Sequence, residues 1–158
     1  MCIRDSDEHG LKIQDVQEVI DSLGPLEGAL EFLEWLKSEF QVVILSDTFY
    51  EFARPLMRQL GYPTLFCHRL GIGCDGRIKA YHLRMPDQKR EAVMRFHELN
   101  FQVIAAGDSY NDTSMLGEAD RGILFCPPQN VIDEFPQFPV TTDYGQLKEA
   151  FLEARAAL

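Results

Sequence analysis

Apolar positions along this chain recur with two different periods, one helical and one extended, and the switches between them mark out its elements. Val16, Ile20 and Leu23 share one face of a helix expected over Gln14 to Leu23, which Gly24 and Pro25 end. Leu26, Leu30, Leu33 and Phe40, with Trp35 and Leu36, predict a second helix that runs into Gln41-Val-Val-Ile-Leu-Ser46. That apolar, β-branched run has the pattern of a buried strand. A short helix comes after it from Phe49 to Leu60, expected to break or restart at Pro55 and to end at Gly61. Thr64 to Ile72 and Arg77 to Arg84 are extended runs, and Gly73-Cys74-Asp75-Gly76 between them has hairpin turn chemistry.

Asp87 is placed to cap a helix whose apolar side is Ala92, Val93, Phe96 and Leu99, and the strand Phe101 to Gly107 comes next. The alternation then repeats: a loop from Asp108 to Asp112, a short helix to Ala119, a strand over Gly122 to Cys126, a proline-rich connection and a last helix from Tyr144. Helices alternating with apolar strands predict an α/β fold around a layered, parallel, Rossmann-like sheet. The first helix differs in character from the later elements, so residues 1–24 are expected to stand apart from a core domain over 25–158.

Charge narrows the function. The 158 residues carry 25 acidic against 15 basic side chains, a net charge of −10, which argues against nucleic acid or an anionic membrane as a partner. Small phosphorylated substrates remain admissible, because a bound cation supplies local positive charge whatever the overall sign. Cys2, Cys67, Cys74 and Cys126 form no C-x-x-C pair and are expected as free thiols in a reducing cytosol. No run reaches the roughly eighteen apolar residues of a membrane span, and MCIRDSDEHG lacks the apolar centre of a secretory signal, so the cytoplasm is the expected location.

In open parallel sheets ligands bind beyond the carboxyl ends of the strands, which directs attention to two places. Ser46-Asp47-Thr48 comes directly after Val42 to Leu45 and offers a hydroxyl and turn amides to an anion, although the same residues are ordinary helix caps and on their own point more to capping. Gly107-Asp108-Ser109-Tyr110-Asn111-Asp112 comes after Val103 to Ala106 and sets two carboxylates four residues apart, a donor set that suits magnesium or an acidic turn capping the next helix. The spacing is not that of an EF-hand loop. Lys89 lies in the first turn of its helix, against the dipole preference, and either faces solvent or is kept there for an anion.

The order of an apolar strand ending in Ser46, then Lys89, then GDSYND resembles motifs two, three and four of the haloacid dehalogenase phosphatases. LSDTFYEF and AAGDSYNDTSML resemble the phosphoserine phosphatase branch, and within it the bifunctional phosphoserine phosphatase and homoserine phosphotransferase enzymes, over most of the chain from about Asp7 onward. The resemblance implies a magnesium-dependent phosphomonoesterase of serine biosynthesis acting on phosphoserine, with homoserine as a second phosphoryl acceptor. It implies Ser46 and the Asp47 amide as phosphate ligands, Lys89 as the cation that offsets phosphoryl charge, and Asn111 as a substrate contact. Asp108 would be the metal ligand, and Asp112 would join Lys89 as a catalytic residue by positioning it or a metal-bound water.

The family's nucleophile is an aspartate in a D-x-[DE] motif on a central first strand. Asp5-Ser6-Asp7 is the early candidate, but no apolar run precedes it. The nucleophile strand and most of a helical cap, upward of ~30 residues, are therefore expected to be missing, with Met1 to Ser6 foreign to the fold. Without that strand, those bearing Ser46 and Asp108 would keep exposed pairing edges, and the chain by itself would be inactive and poorly stable. A non-catalytic module binding phosphate or metal is the rival function.

Other patterns have simpler explanations. Gly71-Ile-Gly73-Cys-Asp-Gly76 matches G-x-G-x-x-G but sits between two strands, as a hairpin turn does. His9, His68, His82 and His97 lack zincin spacing, and Ser46 lacks a G-x-S-x-G setting. Phe49, Tyr50 and Phe52 are expected as packing residues, since no basic residues interleave with them.

Overall fold

The computed structural model describes residues 12–158, so Asp5-Ser6-Asp7, the Met1 to Ser6 segment, Cys2 and His9 lie outside the described residues. The chain divides between Pro86 and Asp87 into two compact units. Each holds a three-stranded sheet with a parallel ladder.

In the first unit the order is α1 (Ile13–Asp21), α2 (Ala29–Glu39), β1 (Val43–Phe49), α3 (Tyr50–Gln59), β2 (Thr64–Ile72) and β3 (Ile78–His82). β1 pairs parallel with β2, and β2 pairs antiparallel with β3 across the expected hairpin turn. Gly73 N–H donates to the Arg77 carbonyl at 2.9 Å, and Gly76 takes φ 78°, a conformation that suits glycine. The G-x-G-x-x-G match is thus a hairpin. Leu60, Cys67, Leu70 and Ile78 are buried in this unit. Val43 to Leu45, expected as a buried run, are only half-buried, because β1 is an edge strand with β2 as its one ladder partner among the described residues.

Pro55 does not break α3, which is continuous from Tyr50 to Gln59. Proline lacks the N–H that the Glu51 carbonyl, one turn back, would accept. Gln17 of α1 supplies the missing donor, its Nε2 lying 2.7 Å from the Glu51 carbonyl oxygen. Arg58 pairs with Asp21, and Gln59 Nε2 donates to the Leu23 carbonyl at 3.0 Å, so α1 is tied along α3 by polar groups as well as by packing.

The second unit runs α4 (Gln88–Glu98), β4 (Ile104–Gly107), a 3₁₀ turn (Tyr110–Asp112), α5 (Thr113–Glu118), β5 (Arg121–Phe125), α6 (Gln129–Glu134), β6 (Val140–Thr141) and α7 (Tyr144–Ala156). Its strands are all parallel in the order β4-β5-β6, which leaves β4 at an edge among the described residues. Val93, Leu116, Ile123, Leu124, Val131 and Leu147 form the core. Gly122 lets α5 close on β5, since a Cβ there would lie 2.6 Å from the Leu116 carbonyl oxygen.

Three local expectations need correction. β4 begins at Ile104 rather than Phe101, because the Val103 N–H is taken by Asp120 Oδ2 at 2.7 Å and Phe101 stays exposed. Asp87 occupies the N-cap of α4 with φ 44° but makes no capping bond; its carboxylate accepts from Ser114 Oγ at 2.9 Å. The proline-rich connection contains α6 and the two-residue β6.

Candidate active site

The first group of candidate residues lies in a bulge of β1. The ladder runs Val43↔Thr64, Ile44↔Leu65 and Leu45↔Phe66, then resumes at Phe49↔His68. Ser46, Asp47 and Thr48 therefore stand against Cys67 alone, so the strand carries on past Ser46 instead of ending there. A bulge bends the strand and re-aims its side chains. Thr48 N–H donates to Ser46 Oγ at 3.3 Å, and Asp47 is exposed. Cys67 is buried opposite, its thiol pushed up to about 11 by burial and by the Glu51 charge.

His68, the partner that closes this bulge, is a residue the sequence did not single out for this place. It is 7% exposed, accepts the Arg84 N–H on Nδ1 at 3.1 Å, and has Nε2 3.9 Å from Asp47 Oδ1. Only the strand register reveals its position, and no local pattern encodes that register.

The second group lies at the end of β4. Of the two alternatives for Lys89, solvent is overturned: its side chain is 11% exposed and its Nζ lies 2.8 Å from Asp112 Oδ1. The other Asp112 oxygen accepts from Asp108 N–H at 3.1 Å, Ser109 N–H at 3.2 Å and Ser109 Oγ at 3.1 Å. Burial alone would raise the Asp112 carboxyl. The Lys89 ammonium and the two backbone N–H groups outweigh it and hold the group below the usual carboxylate range.

Gly107 makes room for this arrangement, since a Cβ there would overlap Asp112 Cβ and lie 2.6 Å from its Cγ. Asp108 and Asn111 are exposed. Tyr110 anchors the loop from outside, its Oη donating to Glu134 Oε1 at 2.7 Å and its ring meeting Phe135 edge-on.

Chemically, the β4 loop separates its two carboxylates. Asp112 is committed to Lys89 and to the loop amides, while the Asp108 carboxylate takes no hydrogen bond or ion pair among the described residues. No three His, Cys, Asp or Glu side chains gather into a cage among the described residues. Among the described residues, one exposed carboxylate at this loop suits magnesium, which keeps most of its waters.

Comparison with known proteins adds relatives to this geometry. The model of the haloacid dehalogenase-like hydrolase family matches residues 3–120. Over 152 residues, 96% of the chain, it is 62% identical to phosphoserine phosphatase ThrH of Pseudomonas aeruginosa and 60% identical to a phosphoserine phosphatase of Pseudomonas syringae. The chain spans 74% of the length of the first of these relatives and 64% of the second. Among solved structures, a phosphoserine phosphatase captured as a phospho-aspartyl intermediate analogue shares the fold with a TM-score of 0.72 at 23% identity, covering 88% of this chain and 70% of that one.

Proposed function

The chain belongs to the haloacid dehalogenase-like hydrolases, and from that premise we propose that it carries the phosphate-binding and charge-balancing residues of a magnesium-dependent phosphoserine phosphatase. The observation that carries this reading is the buried Lys89–Asp112 pair at the end of a parallel strand, with Asp108 beside it exposed. A buried ammonium beside a strand end suits the offsetting of phosphoryl charge.

In this proposal Ser46 Oγ and the Asp47 N–H donate to phosphoryl oxygens, and Asn111 contacts the substrate. Lys89 balances phosphoryl charge from its place beside Asp112. Asp112 holds Lys89 in place, and Asp108 holds magnesium. When bound, that ion offsets charge on the phosphoryl oxygens. Among the described residues no strand precedes β1, so the nucleophilic aspartate of the resemblance is not one of them, and these roles concern binding and charge. No helix among the described residues is long and apolar enough to cross a membrane, and the cytoplasm and serine biosynthesis belong to the proposal. Homoserine is the second acceptor to test.

Equilibrium dialysis with O-phospho-L-serine tests the substrate. The expected result is saturable, magnesium-dependent binding that exceeds binding of O-phosphoethanolamine and loses its magnesium dependence in Asp108→Asn. Equal retention of every phosphate ester would favour the non-catalytic phosphate-binding module, and no retention by folded chain would overturn both.

A further inference from the structure

The bulge of β1 is flanked by two ladder pairs, Leu45↔Phe66 and Phe49↔His68, and one residue from beyond β3 touches the β2 member of each. The Arg84 guanidinium lies over the Phe66 ring, 4.3 Å from its centroid, and the Arg84 N–H donates to His68 Nδ1 at 3.1 Å. A histidine that accepts on Nδ1 carries its proton on Nε2. That N–H is 3.9 Å from Asp47 Oδ1, too long for a hydrogen bond and close enough for electrostatic attraction. The ring also leans on Phe49, with centroids 5.8 Å apart.

We propose that His68, locked by Arg84, is a positioning residue that draws the Asp47 carboxylate toward β2 and so holds the Ser46–Thr48 bulge in a phosphate-binding form. The proposal rests on the reading of this bulge as a phosphate ligand. An exposed carboxylate beside a phosphate dianion opposes its binding, and a donor that attracts that carboxylate from β2 reduces the opposition. The backbone consequence is equally direct: the His68 pairing with Phe49 is where the ladder resumes, so the ring that meets Phe49 and Asp47 also closes the bulge.

Two substitutions separate the two ring nitrogens. His68→Asn keeps an acceptor at the distance of Nδ1 and removes the Nε2 donor. His68→Gln places an amide N–H at the distance of Nε2. Calorimetric titration with inorganic phosphate in magnesium is expected to show roughly tenfold weaker binding for His68→Asn and about threefold or less for His68→Gln, with similar thermal midpoints for both. Equal affinities in both variants and the unsubstituted chain would overturn the proposal. Nitrogen-15 NMR of the histidine ring supplies a readout independent of phosphate. It should show the Nε2–H tautomer for His68 and a shift of that resonance in Asp47→Asn. An unmoved resonance overturns the proposal, whereas a shifted resonance in a chain that binds no phosphate overturns the phosphate reading and leaves the contact standing.

Discussion

Asp112 accepts from Lys89 on one oxygen and from the Asp108 and Ser109 N–H groups on the other, so a single carboxylate joins α4 to the loop after β4. With side chains 11% and 8% exposed, the pair is sheltered, and removing the ammonium strands a buried charge. Lys89→Ala is expected to cost about 3–5 kcal/mol in urea unfolding; a loss below about 1 kcal/mol would mean that Asp112 takes up a proton or water instead. The pH dependence has a definite sign. The folded Asp112 carboxyl lies below its ordinary value of 3.8, so its contribution is in full above that value and is lost as pH falls through the depressed one. Stability of the unsubstituted chain should therefore fall more steeply below about pH 4 than that of Asp112→Asn, and parallel acid titrations would contradict this. The residue types and order of Ser46, Lys89, Asp108 and Asp112 were legible in the sequence. The partner of Lys89 was offered only by the family resemblance, which gave Asp112 as positioning either Lys89 or a metal-bound water; the residue pattern alone did not show it, because a lysine in a first helical turn looks the same whether it faces water or a carboxylate.

At the scale of elements, long periodic segments were readable and short or side-chain-dependent ones were not. The hairpin β2–β3 is implied by its turn residues and strand pattern, and α1, α2, α4 and α7 by spacing or by cap and start signals. Pro55 misled, because its effect on α3 is cancelled from another helix, far earlier in the chain, by Gln17. Gln17→Ala should leave the part-buried Glu51 carbonyl without that donor and cost about 1–3 kcal/mol by chemical denaturation; no measurable change would show that water replaces the amide. The bulge in β1 was invisible for a related reason, since a strand does not encode where its partner falls out of register. Six-residue α6 and two-residue β6 are too short to show a period at all.

For the whole molecule, an α/β fold with parallel pairing was legible, and the division of its strands into two sheets predicts uneven protection of its backbone amides. β5 is paired on both sides and carries Ile123 and Leu124, which are 1% and 0% exposed, whereas among the described residues β1 and β4 each have one ladder partner and lie at the edges of their sheets. Amide hydrogen exchange is expected to be slowest in β5 and distinctly faster in β1; equal protection of the two would contradict the edge assignment. Unpaired edges also invite association with other strands, and the proposed phosphate ligand Ser46 and metal ligand Asp108 lie in or just beyond these edge strands. The most direct test of the account is calorimetric titration of the folded chain with inorganic phosphate in the presence and absence of magnesium. Saturable binding in magnesium, lost on chelation and in Asp108→Asn, is the predicted result. Heat of dilution alone from chain shown to be folded by circular dichroism would contradict it.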